Sequence, residues 1–112
     1  MTAIISMDGD VALVEVQATR FDAAQAPAFK ADLANGIEGG PRKVVLDLTR
    51  VAFMDSTALG ALVSLLKMLG KDGSLAIAGA QPAVRRLFEL TRLDAVFRLA
   101  ETVPDARALM RG

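Results

Sequence analysis

One segment of the sequence combines residues that can do chemistry with a pattern that positions them. Ser56 follows the apolar run KVVLDL and opens a helix pattern that ends at Gly70. At 100° per residue, a sector of about 80° on that helix holds five polar or small residues: Ser56, Gly60, Ser64, Lys67 and Lys71. The other positions are largely apolar, which predicts a deeply packed helix with one narrow strip left outside. Gly60 costs roughly 1 kcal/mol relative to alanine in a helix interior and permits close approach of another chain, so we interpret the strip as a docking surface.

The residue types around Ser56 allow several kinds of site. Serine is a favoured N-cap, so the run Asp55-Ser56-Thr57 can serve simply to start the helix. A nucleophilic serine is disfavoured because the chain has no histidine to act as its base, and FMDSTA is not the G-x-S-x-G elbow. A metal site or a general base would depend on scattered carboxylates such as Asp47 and Asp55. We therefore predict a protein that is not an enzyme and that needs no metal or cofactor.

The composition is that of a single domain, which we predict to span residues 1–112. Hydrophobic residues make up 53% but aromatic residues only 4%, which favours helices packed on a sheet over an all-β sandwich. Thirteen basic residues balance thirteen acidic ones without a basic cluster, so a nucleic-acid partner is not expected. The absence of cysteine, of a signal-peptide pattern and of a long apolar span predicts a cytoplasmic protein without disulfides or direct membrane insertion.

The alternation of short apolar runs with helical periodicity predicts an α/β fold. The turn Asp8-Gly9-Asp10 joins two strands as a hairpin, and residues 43–48 are typical of a strand covered on both faces. The predicted order is β-β-α-β-α-β-α-β-α, with helices packed on a mixed sheet of about five strands. Strands are expected at 3–6, 11–16, 43–48, 74–78 and 96–99, and helices at 22–37, 56–70, 79–91 and 105–110.

The central segment VVLDLTRVAFMDSTALGAL resembles the signature of STAS domains, and closely that of bacterial anti-sigma factor antagonists. In that family a strand of the form V-L-D-L leads through a short loop with an aromatic residue into D-S-[ST]-G-L-G. Five residues stand at corresponding positions: Asp55, Ser56, Thr57, Leu59 and Gly60. The segments FDAAQAPAFKADL and PAVRRLFELTRLDAVFRL resemble the first-helix region and the penultimate helix with the last strand, so the resemblance covers nearly the whole chain.

The resemblance implies a STAS-like fold and a partner-switching function. In the family, a serine kinase that is also an anti-sigma factor phosphorylates the serine of this motif, here Ser56, and a phosphatase of the PP2C type resets the system. The unmodified antagonist binds the kinase and releases the sigma factor, whereas phosphorylation switches binding off. The motif and the strip together give the expected partner-binding residues: Asp55, Ser56, Thr57, Gly60, Ser64 and Lys67. The oligomeric state stays open, because no motif marks a subunit interface.

One position departs from the family pattern, since the chain has Ala58 where the family usually has glycine. We expect its methyl group to stiffen the first helical turn and to narrow what can approach Ser56, which leaves the choice of partner open. Thr57 is a neighbouring hydroxyl, but alignment with the motif places the phosphate acceptor at Ser56. The alternative function is a stand-alone STAS subunit that binds the ATPase of a membrane lipid-transport ABC system through the same helix, without a phosphorylated serine.

Overall fold

Strands and helices alternate along the residues that the computed structural model describes, which are 3–37 and 40–110. The strands are β1 (Ala3–Asp8), β2 (Val11–Val16), β3 (Arg20–Phe21), β4 (Lys43–Asp47), β5 (Phe53–Met54), β6 (Ser74–Ala78) and β7 (Arg98–Ala100). The helices are α1 (Ala26–Ile37), α2 (Ser56–Leu69), α3 (Pro82–Leu90) and α4 (Val103–Leu109), with a short 3-10 helix at Leu93–Ala95.

Five of the strands form one mixed sheet in the order β1-β2-β4-β6-β7. β1 pairs antiparallel with β2 through a turn at Gly9, whose φ of 66° suits glycine, and the other three pairs are parallel. The predicted fold class, a mixed sheet of about five strands with helices packed on it, is confirmed. β3 and β5, which the sequence pattern did not predict, pair in parallel as a second sheet of two short strands.

Helices cover both faces of the main sheet. On one face α1, α2 and α3 bury the larger apolar cluster, which includes Phe29, Leu62 and Phe88. On the other face α4 packs over β4, β6 and β7 and buries Ala106 and Met110. The central residues of β4 are therefore enclosed from both sides, as its nearly continuous apolar run predicts.

Several boundaries differ from the prediction: β1 ends at Asp8 rather than at residue 6, α3 begins at Pro82 rather than at residue 79, and α4 begins at Val103 rather than at residue 105. Two further boundaries differ for visible local reasons. α1 begins four residues later than expected, because Asp22 forms a turn of its own in which its side chain accepts the Ala24 N–H at 3.1 Å. The last strand begins at Arg98 rather than at residue 96, because Leu93–Ala95 continues as a 3-10 helix after Arg92, whose φ of 60° is left-handed.

α2 is the helix that carries the candidate site. Its 14 residues bury one broad apolar face, made of Ala58, Leu59, Ala61, Leu62, Leu65 and Leu69. The helix ends at Gly70, as predicted, where a φ of 84° suits glycine and the N–H of Gly70 donates to the Lys67 carbonyl at 3.1 Å. Neither α2 nor any other helix within 3–37 and 40–110 is long and apolar enough to cross a membrane.

Candidate docking site at the start of helix α2

Asp55 starts α2. Its backbone is extended, with φ of −108°, and its Oδ1 accepts the N–H of Ala58 at 2.9 Å. Asp55 is therefore the N-cap, and Ser56 is the first helical residue. The interpretation of Ser56 itself as an N-cap is wrong, because the carboxylate next to it already occupies that role.

The second carboxylate oxygen of Asp55 ties the start of α2 to the loop after β3. Oδ2 accepts the N–H of Ala23 at 3.0 Å, and the N–H of Asp55 donates to the Phe21 carbonyl at 3.4 Å. The Ala58 N–H holds the pKa of Asp55 below its ordinary value, desolvation partly opposes this, and the Ala23 N–H adds to the lowering. Asp55 is consequently ionised at neutral pH and places a fixed negative charge directly beside Ser56.

Ser56 and Thr57 are both exposed on the first turn of α2. Within the part of the chain that the structure describes, neither hydroxyl forms a hydrogen bond. Both oxygens are therefore accessible from solvent at the positive end of the helix dipole. The geometry leaves both hydroxyls open to reaction and does not by itself choose between them.

Gly60 lies one turn beyond Ser56 on the same exposed side. A Cβ built on Gly60 would have no neighbouring atom within 4 Å outside its own helix backbone, and its φ is not among the positive ones. Neither internal packing nor backbone conformation among the described residues therefore requires glycine here. Glycine in a helix interior lowers stability relative to alanine, and close contact with another molecule is a reason to keep it at this position.

The exposed strip of α2 is wider than the sequence predicts. Ser64 and Lys67 are exposed, as expected for the docking surface, and Lys71 just beyond the helix is exposed too. Met68 was expected among the buried apolar positions, but its side chain is 43% exposed. The prediction of one narrow polar strip is wrong at this edge, where the strip includes an apolar side chain.

Ala58 does not face the approach to Ser56. It is 0% exposed and belongs to the large apolar cluster beneath α2. The expectation that its methyl group narrows access to Ser56 is therefore wrong, because the methyl points into the core on the opposite side of the helix. Its contribution to the site is the backbone N–H that Asp55 accepts.

Arg20 and Phe53 extend the surface beside the start of α2, and neither was among the predicted site residues. The Arg20 guanidinium lies 4.5 Å from the centre of the Phe53 ring and 3.5 Å from the Asp22 carboxylate. Phe53 is 43% exposed although it is aromatic. The family motif has an aromatic residue shortly before D-S, and this position could have identified Phe53 from the sequence.

Asp47, the other carboxylate considered from the sequence, lies at the end of β4 and bonds to a neighbouring residue. Its Oδ1 accepts the backbone N–H of Thr49 at 2.9 Å. In residues 3–37 and 40–110, no group of three or more histidine, cysteine or acidic side chains is placed to hold a metal ion. Among the described residues, the exposed surface of α2 is the candidate functional site.

Comparisons with known proteins identify the family to which this fold belongs. The sequence profile of the STAS domain matches residues 3–106. The chain is 29% identical over 101 residues to a STAS-domain containing protein of Pseudomonas aeruginosa, covering 89% of this chain and 98% of the relative. It is 26% identical over 110 residues to the anti-sigma-F factor antagonist RsfB of Mycobacterium tuberculosis, covering 98% of this chain and 82% of the relative. The crystal structure of an anti-sigma factor antagonist from Mycobacterium paratuberculosis matches with a TM-score of 0.89 and 31% identity, over 99% of this chain and 94% of that one. Because the family profile spans nearly the whole sequence, the chain belongs to the STAS domain family.

Proposed function

We propose that this chain is an anti-sigma factor antagonist whose unmodified form binds an anti-sigma factor serine kinase and thereby releases the sigma factor. The observation that carries the proposal is the position of Ser56, an exposed first residue of an otherwise deeply packed helix. RsfB and the Mycobacterium paratuberculosis protein, which are similar to this chain, carry the name of anti-sigma factor antagonist. In this proposal the chain acts by binding and not by catalysis, in the cytoplasm where the kinase meets the sigma factor.

The proposed switch is transfer of the γ-phosphoryl group of ATP to Oγ of Ser56. The Oγ–P bond forms as the bond from the γ-phosphorus to the β–γ bridging oxygen breaks, ADP leaves, and the hydroxyl proton passes to a base of the kinase. An exposed hydroxyl without a hydrogen bond to another described residue meets the steric needs of this attack. A phosphatase of the PP2C type resets the switch by hydrolysing the phosphate ester.

Charge at the docking surface explains how the modification releases the kinase. A phosphate adds about 1.5 to 2 negative charges at neutral pH, directly beside the ionised Asp55. A partner that closes over Gly60 has to desolvate both groups together. A penalty of about 3 kcal/mol at such a contact lowers affinity roughly a hundredfold.

The fold itself is expected to tolerate the phosphate. An anion at a helix N-terminus gains about 0.3 to 1 kcal/mol from the dipole, and repulsion from Asp55 offsets part of that gain. Because Ser56 is exposed, no buried contact has to be broken to place the group. The switch therefore changes a binding surface and leaves the core as it is.

The test is phosphorylation by the anti-sigma kinases of the same genome, each incubated with ATP and this protein and followed by intact-mass analysis. We expect an adduct of about 80 Da, one phosphoryl group, on the wild type and on Thr57→Ala, and no adduct on Ser56→Ala. Thr57→Ala is a matched control, because it removes the adjacent exposed hydroxyl. An adduct that persists on Ser56→Ala would refute the acceptor assignment. A stable complex with the ATPase of a lipid-transport ABC system, without any adduct, would instead favour the alternative function.

A further inference from the structure

A shallow apolar groove lies beside the exposed strip, between α1 and α2. It has a volume of about 190 Å³ and is lined by Lys30, Leu33, Ala61, Ser64, Leu65 and Met68. Leu33, Ala61 and Leu65 are buried and form its floor, whereas Met68 is 43% exposed and forms one wall. An apolar cavity of about 150 Å³ can hold a benzene ring, so the groove has room for one aliphatic side chain.

The charged residue in the groove lining is a cation. Lys30 is the charged residue of the lining, and Lys67 is exposed on α2 next to Met68. Neither lysine forms an ion pair with another residue in the described ranges. A carboxylate carried beside the apolar side chain would therefore meet the unpaired Lys30 cation in the lining, with Lys67 exposed on the same helix as Met68.

The groove is continuous with the docking surface proposed for the kinase, because Ser64 belongs to both. We infer that the groove takes an aliphatic side chain of that same kinase, flanked by an acidic residue that contacts Lys30. This inference rests on the proposed function, since it names a second part of the same interface. It assigns to Met68 and Lys30 a role in choosing the partner.

The Met68 end of the groove lies far from the site of phosphorylation. Met68 lies twelve residues after Ser56, which is about 18 Å along the helix axis. At physiological ionic strength, charges at the surface are screened over about 8 Å, so the phosphate on Ser56 acts only weakly at the Met68 end of the groove. The interface consequently has a switched half at the start of α2 and a constant half at its end.

Titration calorimetry with the kinase that binds the wild type tests the inference. We expect Met68→Gln to weaken the complex about fivefold and Lys30→Glu about tenfold, by the same factors in the wild type and in a Ser56→Asp background. Leu90→Gln and Arg86→Glu are matched controls on α3, where both residues are exposed. Both controls should bind within about twofold of the wild type.

The outcomes separate the groove from the switch. The groove inference would be refuted if Met68→Gln and Lys30→Glu bound the kinase with wild-type affinity, or if the two controls lost as much affinity as those variants did. Either result would leave the effect of Ser56→Asp intact. An unchanged affinity for Ser56→Asp, with Met68→Gln still weak, would overturn the switch and leave the groove.

Ser64 provides a second pair of variants that does not disturb the apolar floor, since its side chain is exposed. Ser64→Glu should weaken the complex more than Ser64→Lys does, because only glutamate repels the acidic residue while both changes enlarge the side chain. If the two changes altered the affinity by the same factor, the inference that an acidic residue of the kinase lies here would be refuted. Melting temperatures within about 2 °C of the wild type would show that both variants are folded.

Discussion

Gly60→Ala should separate folding from binding at the docking surface, because it is expected to stabilise the protein and to weaken its complex. In the helix interior, alanine is favoured over glycine by about 1 kcal/mol. Nothing in the structure opposes that gain, since a Cβ on Gly60 would have no neighbour within 4 Å outside its own helix backbone. For a domain of this size, about 1 kcal/mol corresponds to a rise of about 4 °C in the melting temperature.

The same methyl group should interfere with a partner that approaches the helix closely. An extra methyl in a well-packed contact costs about 1 to 3 kcal/mol, and 1.4 kcal/mol is a tenfold change in affinity. We therefore expect the kinase complex of Gly60→Ala to be at least about fivefold weaker. Thermal unfolding gives the first quantity, and titration calorimetry with the kinase gives the second.

Gly36→Ala is the control, since Gly36 is also a helical glycine, in the last turn of α1. A Cβ there would lie 2.6 Å from Cδ1 of Ile5, so part of the propensity gain is lost in moving that side chain. Its binding should match the wild type, because it faces β1 rather than the docking surface. A Gly60→Ala protein that is less stable than the wild type, or that binds the kinase equally well, would refute the reasoning.

Three further changes test the start of α2 and the strip. Stoichiometric phosphorylation of Ser56 should shift the melting temperature by less than about 4 °C, because the dipole gain is at most about 1 kcal/mol; calorimetry that shows a larger loss would contradict this. The folded-state pKa of Asp55 is lowered. The contribution of its carboxylate to the free energy of unfolding is therefore complete above the unfolded-state pKa of about 3.9, and it is lost as pH falls through the lower folded-state pKa. Urea unfolding should thus show a steeper acid loss for the wild type than for Asp55→Asn, and parallel curves would argue against the cap. Lys67→Glu should weaken the kinase complex about threefold without changing the melting temperature, and an unchanged affinity would place the docking surface elsewhere.

The parts of the fold that follow from sequence depend on residues that are neighbours along the chain. The Gly9 turn, the apolar run of β4 and the helical period of α2 are each visible within about fifteen residues, and all three lie where they were expected. β3 and β5 are two residues each, too short for an alternating pattern. They exist because Arg20 and Phe21 pair with residues 53 and 54 across the chain.

The details of the site depend on contacts that sequence spacing does not contain. Three side chains in Asp55-Ser56-Thr57 are able to cap a helix, and the choice of Asp55 comes with a bond to Ala23, 32 residues away. Met68 is exposed because α1 leaves a groove beside it. The burial of Ala58, by contrast, could have been predicted, since it lies about 200° around the helix from Ser56.

The affinity of the anti-sigma kinase for unmodified and for Ser56-phosphorylated protein tests the central claim most directly. Titration calorimetry on the two forms, with the phosphate confirmed by mass and the fold by melting temperature, gives the ratio without any substitution. We predict that the phosphorylated protein binds roughly a hundredfold more weakly while remaining folded. Equal affinity of the two forms would contradict the account.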